Sequence, residues 1–296
     1  MAGDVEQLRA YVEYFRDMGI YEFYRRGELV FVESSESSKP AGSTGDVVVE
    51  AVAEPRIAVV ESTAVVEVST PPVVSAETNY LETAIPKLVS FDDLAPLPES
   101  RVAAREKAGA LVAVREEIGD CTRCPLAYAG RRSIVFGDGD PNARLMFVGE
   151  GPGADEDVQG LPFVGKAGQL LNNMIGAMGL KREEVYIANI VKCRPPQNRV
   201  PEPVEANTCS QFLLKQIDVV QPQVIVALGA TAALYLLGVK RSLSSLRGQW
   251  HQCRGAKLAV TYHPAFLLRD PRQKGEAWKD LQMVMKEMGL KAPAKG

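Results

Sequence analysis

Apolar residues in the C-terminal two thirds of the chain fall into short unbroken runs separated by stretches with helical period. Four runs, Leu145–Val148, Val185–Val191, Val224–Leu228 and Leu258–Tyr262, are almost wholly apolar. A strand with one wet face would alternate, so unbroken runs of this length fit strands covered on both sides. Helical patterns occupy about 166–179, 203–219, 230–238 and 275–288. Another spans roughly Val102–Ile118, with Leu111, Val114 and Ile118 on one face. Strands alternating with helices predict an α/β fold over 98–296: a three-layer α/β/α sandwich around a four-stranded parallel sheet.

The pattern differs before residue 98. Val5, Leu8, Val12, Phe15 and Met18 recur at helical spacing, and an aromatic stretch, Tyr21 to Val32, follows. Residues 1–33 therefore read as a small helical and aromatic module that docks on the main domain or on a protein partner, or as a loosely packed appendage. Residues 34–97 are rich in Ser, Pro, Glu, Ala, Thr and Val and poor in large side chains, which predicts an acidic disordered linker. Its apolar island from Tyr80 to Leu94 reads as a docking motif or as plain linker.

Charge sharpens this division. The chain has a net charge of -3, but residues 1–33 carry -3 and 34–97 carry -7, leaving +7 on 98–296. A basic domain behind an acidic tether suits a phosphate-backbone partner. No apolar run nears the ~20 residues that span a bilayer, and the acidic, amphipathic N-terminus does not resemble a secretory signal. The expectation is a cytoplasmic monomer with no membrane partner.

Without export, the five cysteines point to ligation rather than disulfides. Cys121 and Cys124 form a C-x2-C pair that aims two thiolates at one centre, and Cys193 and Cys209 can complete a set of four. Four thiolates suit zinc or an iron–sulfur cluster, and spacing alone does not choose between them. Cys253 stands apart from the set.

The stretch Gly149–Leu171 follows the first strand with glycines, prolines, the acidic trio Asp155, Glu156 and Asp157, and one aromatic, Phe163. A strand opening into a glycine-rich loop and then a helix is where open α/β sheets hold ligands. The trio reads as a turn cap rather than a metal site. Asn189 ends the second strand and needs a partner there, from backbone or from a ligand. His263 follows the fourth strand and so shares an edge with the glycine loop.

Five motifs in order, Cys121-x2-Cys124, Gly149-Glu-Gly-Pro-Gly153, Leu161-Pro-Phe-Val-Gly-Lys-Ala-Gly168, Asn189-Ile-Val-Lys-Cys-Arg-Pro-Pro196 and His263-Pro-Ala265, resemble the family 4 uracil-DNA glycosylases. The resemblance covers about 105–290. It implies a 4Fe–4S cluster on Cys121, Cys124, Cys193 and Cys209. It also implies a pocket in which Phe163 stacks on flipped uracil, Asn189 reads N3–H and O4, and His263 donates to O2. Gly149, Glu150 and Gly151 close the side near C5. The partner would be uracil-containing DNA, single- or double-stranded, and the reaction hydrolysis of the N-glycosidic bond in base-excision repair.

Better-known members of that superfamily carry an Asp third in the first loop, where Gly151 stands here. Backbone or Glu150 is left to hold the water. By analogy Leu267, four residues past His263, is the wedge that fills the gap left by the flipped base, and Arg269 is a phosphate contact. Lys166, Arg194, Arg199, Arg241 and Arg247 are further candidate phosphate contacts. Two other readings compete: a relative that traps uracil-DNA covalently, and a non-catalytic metal-dependent nucleic-acid-binding module. The first needs a histidine in an inserted loop after Asn189, which Cys193–Arg199 lacks. The second leaves Phe163, Asn189 and His263 without roles. A phosphate-binding nucleotide hydrolase is excluded, because the loop lacks G-x4-G-K-[ST] spacing.

Overall fold

The apolar runs form the centre of one sheet. In the computed structural model, which describes residues 89–292, β2 (Leu145–Gly149), β3 (Tyr186–Asn189), β4 (Val224–Leu228) and β6 (Ala256–Thr261) are parallel. The expected module at 1–33 and the linker up to residue 88 lie outside the described residues.

Two edge strands extend the predicted sheet. β1 (Asp138–Gly139) pairs antiparallel with β3, and β5 (His251–Cys253) pairs antiparallel with β6. The sheet is therefore six-stranded, in the order β1-β3-β2-β4-β6-β5. Strands this short carry no readable alternation. At β1 the backbones nearly touch: Gly139 has φ +125°, and a Cβ there would lie 1.9 Å from the Val185 carbonyl oxygen.

Strand alternation feeds two cores. Met146, Val148, Ala188, Ile225 and Val260 face one core, shared with α2 (Lys107–Ile118), α5 (Pro203–Val220) and α6 (Ala230–Leu237). Phe147, Ile187, Val226 and Ala259 face the other, with Leu171 and Ile175 of α4 (Lys166–Ala177) and Leu281 and Val284 of α9 (Lys274–Met288). Helix α2 begins at Lys107, later than the expected Val102. No helix among the described residues is long and apolar enough to cross a membrane.

Residues just before 98 also pack on the domain. Residues 90–97 form a strap whose short helix α1 (Phe91–Leu94) buries Phe91 completely. Arg254 fastens it: the backbone N–H donates to Asp92 Oδ1 at 2.6 Å, and the guanidinium donates to the Ala95 and Pro96 carbonyls. The same guanidinium is ion-paired with Asp218 at 2.6 Å, so the buried charge is neutralised. Gly238, at φ +65°, admits the strap, since a Cβ there would sit 2.4 Å from Ser90 N. The apolar island is thus a docking motif at its Phe91 end. Phe91→Ala should lower the unfolding free energy by about 3 kcal/mol in a denaturant titration; an unchanged midpoint would show the strap to be outside the cooperative unit.

Candidate active site

The site is set by strand register. Gly149 lies opposite Asn189 in the parallel β2–β3 pair, and both strands end at the same edge of the sheet. Beyond them, Ile190 and Val191 donate to the Gly149 and Glu150 carbonyls at 3.0 and 3.2 Å, so the two chains leave the sheet together. The extended run expected to Val191 is therefore paired, although the strand proper stops at Asn189. Above this edge opens a cleft of about 560 Å³ lined by Glu150, Gly151, Phe163, Asn189, His263 and Arg269, among others. Gly149 lies behind the lining. A Cβ on it would come 2.4 Å from Asn189 Oδ1 and 2.6 Å from Phe163 Cζ, so only glycine lets these two side chains meet.

Asn189 is 1 % exposed, and its Oδ1 is buried without a hydrogen-bond partner. An unmade bond at a buried acceptor costs about 1–3 kcal/mol. Asn189 lines the cleft, and Thr261 Oγ1 is the other buried side-chain atom without a partner among the described residues.

Phe163 is buried, with its backbone at φ +52° where side chains are rarely tolerated. Two groups hold it there, Arg182, which the sequence did not single out, and Glu156 of the acidic trio. Arg182 donates to the Phe163 carbonyl at 3.0 Å and to the Pro162 carbonyl at 2.5 Å. The Glu156 carboxylate accepts from the N–H groups of Val164 and Gly165 at 2.9 and 3.0 Å and from Gly153 at 3.0 Å. Gly168 completes the clamp, because a Cβ there would lie 1.9 Å from the Phe163 oxygen. Two of the acidic trio, Glu156 and Asp157, thus act as loop ties. Asp157 is buried and accepts from Arg132 and Ser133 N–H, in α3 (Ala154–Gln159).

His263 lies beside Phe163, ring centroids 5.6 Å apart. It caps α8 (Pro264–Arg269): its Nδ1 accepts from Ala265 N–H at 3.1 Å, which leaves the ring proton on Nε2. Burial holds its pKa down to about 4, with the Arg269 charge adding to the drop and Glu156 opposing it. The imidazole is therefore a neutral donor at neutral pH. Gly229, at φ +92°, gives it room, since a Cβ there would meet His263 Cβ at 3.1 Å. Glu150 reaches the cleft with one oxygen, Oε2, accepting from Thr231 Oγ1 at 2.5 Å.

Leu267 is 1 % exposed and packed into the domain, whereas Leu268 beside it is 43 % exposed. Arg269 and Lys166 are exposed on the cleft wall. Arg247 is not available for phosphate: it is ion-paired with Asp280 at 2.7 Å and stacks over Tyr262. Arg199 lines the cleft while forming two bonds to the buried Glu205.

Cys121, Cys124, Cys193 and Cys209 line one small cavity with Ile118, Ile134 and Phe212. Among the described residues no three His, Cys, Asp or Glu side chains gather tightly enough for a single metal ion. Burial raises the thiol pKa of Cys124, Cys193 (to about 11) and Cys209 (to about 12). Thiolates at these positions need a positive centre to stabilise them. N–H donors already face three sulfurs: Arg123 on Cys121 at 3.3 Å, Arg131 on Cys193 at 3.5 Å, and Lys192 backbone on Cys209 at 3.3 Å. Cys253 is fully buried elsewhere in the core.

Comparison with known proteins matches this geometry. Residues 136–282 fit the family model of the Uracil DNA glycosylase superfamily. The Type-4 uracil-DNA glycosylase of Thermotoga maritima is 48% identical over 159 residues, 53% of this chain and 82% of that one. Its counterpart in Pyrobaculum aerophilum is 43% identical over 178 residues, 57% and 90% of the two chains. That of Archaeoglobus fulgidus is 38% identical over 185 residues, 60% and 92%.

The depressed His263 pKa has a direct signature. Its ring resonances should not titrate between about pH 8 and pH 5.5, because the neutral form persists well below the usual histidine value. A midpoint near 6.5 would contradict the buried neutral imidazole.

Proposed function

We infer the reaction from two premises: the chain belongs to the uracil DNA glycosylase superfamily, among its Type-4 members, and its cleft offers an unpartnered buried amide. It is a DNA glycosylase that hydrolyses the bond between uracil and deoxyribose. The observation that carries the residue assignment is the orphaned Asn189 Oδ1. Uracil N3–H supplies the missing donor, and the amide nitrogen matches O4. Cytosine has an unprotonated N3 and an amino group at those positions and leaves both amide groups unsatisfied, which discriminates strongly. A duplex base must be flipped out to reach such a pocket, where Phe163 stacks on its face.

In the proposed chemistry the C1′–N1 bond breaks, leaving negative charge on the uracil ring. His263 Nε2–H donates to O2, where that charge develops, and needs no extra proton to do so. Water adds to C1′. With Gly151 carrying no carboxylate, Glu150 is the group we assign to position this water and take its proton. Thr231 holds one Glu150 oxygen, and Oε1 remains for the water. No covalent intermediate with the chain forms, so no lyase step follows.

DNA reaches the cleft as single or double strand, and the chain acts as a monomer in the cytoplasm, where its cysteines stay reduced. Arg269 and Lys166 contact phosphate, and the exposed Leu268 takes the wedge role first assigned to Leu267. The four cavity cysteines suit a 4Fe–4S cluster: they line one cavity, and three of their sulfurs accept N–H bonds. When bound, the cluster supplies a structural tie between α2, the segment after β3, and α5.

Purified protein should release uracil from both forms of DNA, and Asn189→Ala or His263→Ala should reduce the rate by at least ~100-fold. Leu268→Ala should slow release from duplex more than from single strands. Absence of release by the wild type, or near-normal rates in both site variants, would overturn the assignment. The isolated protein should be brown and contain about four irons per chain; a colourless protein with one zinc would refute the cluster.

A further inference from the structure

Lys192 is a buried cation that the proposed reaction does not use. It is 1 % exposed and forms no ion pair with a carboxylate among the described residues. Its Nζ donates to the Asn189 carbonyl at 2.9 Å and to Gln216 Oε1 at 2.6 Å. Gln216, itself fully buried, is fixed in turn by donating to the Phe136 carbonyl at 2.9 Å and Tyr186 Oη at 3.2 Å. The other end of Lys192 belongs to the cysteine cavity. Its backbone N–H donates to Cys209 Sγ at 3.3 Å, and the next residue is Cys193. Its backbone carbonyl accepts from Val135 N–H at 2.8 Å.

Lys192 thus bonds in both directions: its backbone N–H reaches a cavity sulfur, and its side chain holds the backbone of the residue whose amide lines the cleft.

We propose that Lys192 is a positioning residue that couples the cysteine centre to Asn189, so that an intact centre aligns the base-reading amide as well as holding the fold together. This rests on the uracil reading of Asn189. Removing the ammonium should misalign the amide while leaving the four cysteines and their contents in place.

The test uses full-length holoprotein and two variants, Lys192→Met and Lys192→Gln, so that one failing to fold leaves the other. Cluster content is read from iron and visible absorbance per chain. Affinity is measured for a duplex bearing 2′-fluoro-2′-deoxyuridine, whose fluorine resists base loss, and for the same duplex with thymidine. The variants should keep the wild-type cluster content and thymidine-duplex affinity while binding the uracil analogue about tenfold more weakly, the scale of one lost charge-assisted hydrogen bond. Uracil-analogue affinity equal to wild type, or equal weakening on both duplexes, would overturn the coupling. So would loss of cluster or fold in both variants, because Lys192 would then serve the centre alone. If the wild type itself fails to prefer the uracil analogue, the uracil reading is at fault.

Discussion

The site depends on one close approach: Gly149 against Asn189 and Phe163. Parallel pairing of β2 and β3 puts these strand ends side by side, and the missing side chain at Gly149 lets an amide and an aromatic ring crowd the same point. Asn189 consequently sits in the floor of the cleft with its oxygen unpaired. The ring of Phe163 stands beside His263. Any side chain at 149 would separate Asn189 from Phe163. The surrounding structure keeps that arrangement fixed: Arg182 and Glu156 hold the loop on both sides of Phe163, and Ala265 orients His263. Preorganisation of this kind is where such a site gains its discrimination, since little remains to be ordered when the base arrives.

Much of this was legible in the sequence, for identifiable reasons. Val224–Leu228 shows as a strand because both its faces are buried, and Asn189 and His263 stand out as polar residues at the ends of such runs. What escaped has physical causes. Strands of two and three residues, β1 and β5, are too short for alternation to register. Leu267 was chosen by counting residues from His263, but those residues form a helix, in which each step turns the side chain by about 100°. The turn that buries Leu267 exposes Leu268. Arg182 lies 19 residues from Phe163 and acts on its backbone, so no local pattern marks it. The strap at 90–97 was hidden by the low-complexity stretch before it, though Phe91 is the kind of large apolar residue that such stretches lack.

The cysteine cavity and the cleft stand close in sequence as well as in space. Three residues separate Asn189 from Cys193, and one of them, Lys192, bonds in both directions. The donors around the sulfurs come from Arg123 in the segment after α2, from the loop carrying Arg131 and from the Lys192 backbone.

The account turns on Asn189 Oδ1 accepting the N3–H of uracil, and competition by the free base isolates that contact from DNA binding and from chemistry. Uracil should displace the enzyme from uracil-containing DNA, whereas 3-methyluracil, which lacks the N3 donor and brings a methyl group against a buried acceptor, should be at least ~100-fold weaker. Equal competition by the two bases would contradict the reading.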